Sequence, residues 1–240
     1  MSIAAAGQAS GVAVRLDAVR QRIKDAATRA GRDGGGVTLV AVSKTFSAEQ
    51  AQAAVGAGAT DLGENRVQEA EQKFPDVRGN VRWHLIGPLQ TNKVNKALEL
   101  FDLLHGVDSL ELARAIGVRA ERREKPARVL LQVNVAEKDS QHGFPETQLR
   151  EQARALAAIE GLHLDGLMCI APLSEDPEQT RPAFRDLAKL HAELADVMRD
   201  AGHPWTHLSM GMTNDYPVAI EEGATLVRVG RAIFGERGNA

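Results

Sequence analysis

From Val37 onward the chain alternates short apolar runs with longer stretches of helical periodicity, and it does so eight times. The runs are "VTLVAVSK", "DLGEN", "WHLIG", "LLHGVDS", "RVLLQVNV", "LDGLMCI", "HLSMG" and "LVRVG". Most lack a strict polar alternation, which is the pattern of strands buried on both faces. Parallel strands joined by helices need right-handed crossovers. Eight such units in 240 residues predict a TIM-type (β/α)8 barrel. An open doubly wound sheet is the runner-up. It usually has fewer strands and, when it binds dinucleotides, a glycine fingerprint after the first strand. Here "SKTFS" follows the first strand. No linker or composition shift divides the chain, so the reading is α/β, a single domain over 1–240. Residues 1–9 are expected to lie outside its ordered part.

An extra helix precedes the barrel, over Ser10 to Ala30, with Val12, Leu16, Val19 and Ile23 at helical spacing. "GRDGGG" ends it. A phosphate-cradling glycine loop follows a strand and opens a helix. This one does the reverse and reads as a plain connection. Further helices are expected over 47–58, opened by a Ser47–Gln50 capping box, and over 65–74, 89–100, 108–124, 145–160 and 177–201. Two helix-to-strand joints both read Gly-Ala-Thr, at 58–60 and 223–225. The glycine suits a left-handed C-cap.

Hydrophobic residues make up 43% of the chain, ample for a core, and the net charge is -3. That charge gives no electrostatic reason to expect a nucleic acid or an acidic membrane as partner. Cys169 is the only cysteine and sits among apolar neighbours. It reads as a packed, inert thiol, and the lack of an intrachain disulfide fits a reducing compartment. The N-terminus shows no basic segment followed by an apolar one, and no run approaches the ~20 residues of a membrane span. The expectation is a cytoplasmic protein. No HExxH, CxxC or DxDxDG spacing points to a metal.

In a barrel of this type, chemistry sits where strands end and βα loops begin. The first strand ends near Lys44. A lysine there is ordinarily surface punctuation; partly desolvated and near another cation, it becomes an amine that attacks carbonyls. The last strand runs "LVRVGRAIF". Gly230 lets backbone approach a ligand, and "RAIF" starts a short helix at the usual phosphate position of the fold. Ser209 lies beside it in the seventh loop. Arg228 stands inside an apolar run. It is either an outward ion-pairing residue or an inward donor to a ligand heteroatom, since an unpaired buried guanidinium is very costly. An aldehyde-reactive lysine, a phosphate cradle and a donor for a ring nitrogen together describe the handles of pyridoxal 5′-phosphate (PLP).

"VAVSKTF", "LGENRVQEA", "WHLIGPLQTNKV", "VDSLELA", "LQVNVAEKDSQHGF", "GLMCIAP" and "LSMGMTNDYPVAIEEGATLVRVGRAIFGER" occur in that order. They resemble the pyridoxal phosphate homeostasis protein family over nearly the whole stretch from Val37 to Arg237. The resemblance implies a single-domain barrel similar to the N-terminal domain of alanine racemase, with PLP held as an internal aldimine. It implies that Lys44 is the Schiff-base lysine. Ser209, Gly230 and Arg231 hold the phosphate, Arg228 faces the pyridine nitrogen, and Asn65 lies near the ring. Pro88 departs from the pattern, because many members carry histidine there. Proline suits the first turn of a helix, so no loss of binding is expected.

Arginine cannot give up its proton at working pH. A pyridine nitrogen facing Arg228 therefore stays unprotonated and the ring is a weaker electron sink. Racemisation also needs an acid/base on each face of the substrate carbon. In alanine racemase a tyrosine of a second domain serves one face, and nothing here resembles that domain. The only tyrosine, Tyr216, reads as turn packing. His84, His142 and His207 are spare candidates, and no spacing pairs His84 or His142 with an Asp or Cys. Lys138, in "KDSQHGF", is either a solvated loop lysine or a second, looser site for PLP. The expectation is a monomeric protein that buffers PLP and delivers it, with apo PLP-enzymes as possible recipients. The alternatives are a PLP-dependent amino-acid racemase and a barrel that binds a phosphorylated metabolite without PLP.

Overall fold

The computed structural model describes the backbone of residues 3–135 and 142–236, and side chains from residue 10 onward. Eight parallel strands close into a barrel in sequential order. They are β1 (Thr38–Val42), β2 (Asp61–Glu64), β3 (Arg82–Leu85), β4 (Leu103–Val107), β5 (Ala127–Val133), β6 (Leu162–Cys169), β7 (His207–Ser209) and β8 (Leu226–Val229). Closure is made by β1 against β8, with Val40 opposite Arg228 and Ala41 opposite Val229. Each strand falls within or beside the run expected for it. The runs are apolar on both faces because one face meets the barrel interior and the other meets helices.

Those helices are α1 (Ile3–Arg29), α2 (Ala48–Gly56), α3 (Val67–Lys73), α4 (Val94–Leu100), α5 (Leu110–Glu121), α6 (Glu146–Ala157), α7 (Arg181–Asp200), α8 (Tyr216–Glu221) and α9 (Arg231–Phe234). The capping box is present at α2, where Ser47 accepts from the Gln50 N–H and the Gln50 side chain accepts from the Ser47 N–H. Both Gly-Ala-Thr joints have the expected geometry. Gly58 and Gly223 adopt φ of 91° and 105°, and the next N–H in each returns to a helix carbonyl. Two helix expectations need correction. Tyr216–Glu221 is helical rather than a turn. Pro88 precedes the 3-10 turn Thr91–Lys93 that leads into α4, and it is exposed there rather than in a first helical turn.

Helix α1 begins at Ile3, earlier than Ser10. Its stripe of Val12, Leu16, Val19 and Ile23 is buried as the spacing predicts, each side chain contributing roughly 1.5–3 kcal/mol. Two arginines of the helix and one just past its end tie it to carbonyl ends of others. Arg15 donates to Ile233 O, Arg20 to Ala57 O and Gly58 O, and Arg32 to Ile220 O and Ala224 O. Cations at helix C-termini satisfy orphan carbonyls and oppose the negative end of the dipole. So α1 is a clamp across α2, α8 and α9, the elements flanking β1 and β8.

Inside the barrel, Val40, Leu103, Leu130, Met168 and Leu226 form an apolar plug. Among the described residues no helix is long and apolar enough to cross a membrane. The expectation for residues 1–9 falls largely on side chains outside the described ones, and Lys138 lies outside them too.

Candidate functional site

At the C-terminal ends of the strands lies a cavity of about 440 Å³, within the roughly 300–1,000 Å³ usual for small-molecule sites. Lys44, Thr213, Asp215, Arg228, Gly230 and Arg231 are on its wall. Lysine and arginine from the two ends of the chain thus meet at one opening, which the β1–β8 pairing makes possible.

The backbone on both sides of Lys44 is fixed. The Ser43 N–H donates to Gly63 O at 3.0 Å and its hydroxyl donates to Glu64 Oε1 at 2.6 Å. On the far side, Thr45 has φ of 67° and its N–H donates to the Glu69 carboxylate. A threonine in the left-handed region is strained and persists only where neighbours hold it. Lys73 joins the two halves. Its ammonium donates to Ser43 O at 2.7 Å, Glu64 Oε1 at 2.8 Å and Glu69 Oε1 at 2.9 Å, one acceptor for each of its three hydrogens. Burial raises the Glu64 carboxyl, against the opposing pull of the Lys73 and Ser43 hydrogen bonds. Lys44 Nζ donates to Asn65 Oδ1 at 3.5 Å, a long contact. Asn65 therefore touches the lysine without forming cavity wall.

Arg228 is 4% exposed and points inward. Nη1 donates to Ser209 Oγ at 2.6 Å and Nη2 to Cys169 O at 2.8 Å. Burial lowers its pKa, and it remains a cation. Those two bonds use two of the five N–H groups of the guanidinium, and Arg228 is also on the cavity wall. Gly230 sits where β8 meets α9, and a Cβ there would come within 3.1 Å of Val42 O. Arg231 is exposed at the start of α9. Cys169 is fully buried and its thiol is pushed up to about 12 by that burial, so it is inert.

Ser209 departs from its expected place. It is fully buried, and its oxygen lies between Arg228 and His105 Nδ1 at 2.9 Å rather than on the cavity wall. The strand runs too deep for its hydroxyl to reach the mouth. Thr213, four residues on, is on the wall next to Asn214 and Asp215, as is Ser174 from the loop after β6. Asp215 Oδ1 accepts from the Met212 N–H at 2.6 Å and fastens this loop; burial raises its carboxyl. Tyr216 is fully buried under Arg22, 5.3 Å from its ring, and is not on the wall. Two histidines do have acidic partners: His84 Nε2 meets Asp61 at 2.8 Å and His142 Nδ1 meets Asp108 at 3.3 Å. Thr213, Asp215 and the Lys73 cluster are residues that strand-end reasoning passed over. The polar run "GMTND" directly after a strand was the available signal.

The parallel eight-stranded barrel, with a lysine after β1 and an arginine of β8 on one cavity wall, is of the class of the alanine racemase N-terminal domain, whose family profile matches residues 14–238. Within that class, the chain belongs to the pyridoxal phosphate homeostasis protein family. It is 40% identical to the pyridoxal phosphate homeostasis protein of Aquifex aeolicus, covering 93% of this chain and 97% of that one. The structure of PipY of Synechococcus elongatus with PLP bound has 35% identity and a TM-score of 0.82, covering 93% of this chain and 100% of PipY. Alanine racemase of Bartonella henselae shares only the fold, at 13% identity and a TM-score of 0.71 over 96% of this chain and 61% of its own.

Proposed function

We propose that the cavity holds PLP and that the protein binds, buffers and hands on this cofactor without robust turnover of its own. The observation that carries the reading is the shared wall. An amine at Lys44 and a buried cation at Arg228 border one cavity, with the Gly230 turn and the Thr213 hydroxyl beside them. These residues fit the group: a nucleophile for its aldehyde, a donor for its ring nitrogen, and a glycine turn, a hydroxyl and Arg231 for its phosphate. Bound PLP supplies an electrophilic aldehyde carbon and an electron-withdrawing ring.

Each residue then has one task. Lys44 presents its amine for a covalent bond, held by the anchored backbone of Ser43 and Thr45. Asn65 steadies that amine. Arg228 is permanently protonated, so it donates and keeps a proton off the nitrogen it faces. Gly230 admits the phosphate to backbone N–H groups at the start of α9, which have no intrahelical acceptor. Ser209 acts on Arg228 instead of on the phosphate.

Buffering is favoured over racemisation because, among the described residues, the acid/base groups on the cavity wall besides Lys44 are two carboxylates, Asp215 and the exposed Glu236, with no tyrosine or histidine. Tyr216 is sealed in the core, and Asp215 is committed to the Met212 N–H. The relatives' printed name, a homeostasis protein, agrees. A lone buried thiol with no disulfide to protect suits the cytoplasm. The test is visible absorbance of the PLP-loaded protein before and after borohydride, followed by incubation with single amino-acid enantiomers in deuterated water. A yellow, reducible protein that deuterates neither enantiomer supports the carrier. Rapid α-deuteration with inversion supports a racemase, and a colourless protein refutes PLP binding.

A further inference from the structure

A chain of polar side chains runs through the barrel from its floor to Arg228. Asp61 Oδ1 lies 2.8 Å from His84 Nε2, His84 Nδ1 lies 2.9 Å from His105 Nε2, and His105 Nδ1 lies 2.9 Å from Ser209 Oγ. Arg228 Nη1 closes the series on Ser209 Oγ at 2.6 Å. All five residues are between 0% and 4% exposed. Asp61 opens β2 and Ser209 ends β7, so the chain runs from the strand-start end of the barrel up to the buried guanidinium.

Its direction is set by its two ends. Arg228 has only donors, so Ser209 Oγ accepts there. Burial alone would raise Asp61, but hydrogen bonds from His84, Arg82 and Thr60 outweigh it and hold the carboxyl at about 2. Asp61 is thus a carboxylate, which only accepts, so His84 carries its hydrogen on Nε2. Burial, reinforced by the Arg228 cation, keeps His105 well below the usual histidine range and neutral. With one hydrogen per link, Ser209 donates to His105 Nδ1 and His105 Nε2 donates to His84 Nδ1. A doubly protonated His84 would reverse His105 and leave the Ser209 hydrogen with no acceptor. The single-hydrogen arrangement satisfies every group, and buried networks are stable only when fully satisfied.

We propose that Asp61, His84, His105 and Ser209 are positioning residues for Arg228, forming a one-way hydrogen-bonded relay that fixes which edge of the guanidinium faces the cavity. The inference rests on the PLP reading of that cavity. The fold does not need polar filling at this depth, because the neighbouring interior positions carry the plug of Val40, Leu103, Leu130, Met168 and Leu226. Apolar filling of an interior is often the more stable choice. What the relay adds is a lone pair of defined direction beneath Arg228, with a cation at its top and an anion at its foot. If Ser209 were free to rotate its hydrogen toward Arg228, that anchor would be lost.

Two measurements test it. Long-range 1H–15N correlation spectra of the full-length protein without PLP, at neutral pH, are expected to show His84 and His105 both neutral with hydrogen on Nε2. Hydrogen on Nδ1, or a doubly protonated ring, at either residue overturns the relay. In PLP-loaded protein, Ser209→Ala is expected to move the visible absorption maximum and to raise the PLP Kd about tenfold, the scale of one charged hydrogen bond. Ser209→Thr, which keeps the hydroxyl, is expected to restore both. A Ser209→Ala protein with the parent's spectrum and Kd overturns the positioning role while the PLP reading stands. A parent protein that takes up no PLP sinks that reading instead, and the histidine spectra still report on the relay. If Ser209→Ala fails to fold, the spectra of the unaltered protein decide.

Discussion

Lys73 and Glu64 form an ion pair at 2.8 Å inside the barrel wall, with side chains 8% and 0% exposed. Removing one partner strands the other. Lys73→Met leaves Glu64 with Ser43 alone and is expected to cost about 3–5 kcal/mol of stability. Combining it with Glu64→Leu is expected to recover most of that, because the uncompensated charge is gone. Urea denaturation of the parent, the single and the double variant checks both the loss and the recovery. Lys73 also anchors Ser43 O. The double variant should therefore regain stability but still release PLP faster than the parent.

Lys44→Ala removes the amine that the proposal depends on. Borohydride treatment of the PLP-loaded parent is expected to add the cofactor mass to the peptide bearing Lys44, and to add nothing to the variant. The side chain is only half-buried, so the unfolding midpoint should move little. A variant that keeps its yellow colour through dialysis would remove Lys44 from the site.

Thr213→Val keeps shape and deletes the hydroxyl of one of the two hydroxyl residues on the cavity wall, Thr213 and Ser174. A hydrogen bond to a charged group contributes about 1.5–3 kcal/mol. The PLP Kd should rise by roughly 10- to 100-fold, with a smaller effect for pyridoxal, which has no phosphate. Equal losses for the two ligands would place the phosphate elsewhere.

Stability should fall in mild acid. His105 titrates well below the ordinary histidine value in the folded protein. Below an unfolded pKa of about 6.5 the unfolded chain binds the extra proton and the folded one does not. Stability therefore drops by about 1.4 kcal/mol per pH unit for this group until its folded pKa is reached. His191, lowered by burial to about 4, acts in the same direction. Asp61 adds a second window, from an unfolded value of about 3.9 down to about 2. Denaturation at pH 7.5, 6.5 and 5.5 is expected to show the slope, and His105→Gln to reduce it by about one proton.

The barrel was legible because each strand is a short run whose two faces both meet apolar neighbours, and because Gly58 and Gly223 punctuate the joints as only left-handed residues do. Lys44, Arg228 and Gly230 were legible from their places at strand ends and Arg231 from the family resemblance, and all four are on one cavity wall. Ser209 was not, since nothing in "HLSMG" says how far below the mouth its hydroxyl stops. Helix α8 is six residues long, too short for a period to show. The relay was hidden for another reason. Asp61, His84, His105 and Ser209 are single polar residues in separate strands, up to 104 positions from their partners, and strand order alone makes them neighbours. A polar residue at matching parity in consecutive strands would have been the clue.

Because β8 seals the ring against β1, Lys44 and Arg228 become neighbours only with the last strand in place. A chain still emerging from the ribosome has the Lys44 side of the cavity but not its Arg228, Gly230 and Arg231 side. PLP capture should thus require barrel closure, and a chain truncated before residue 226 is expected to bind none.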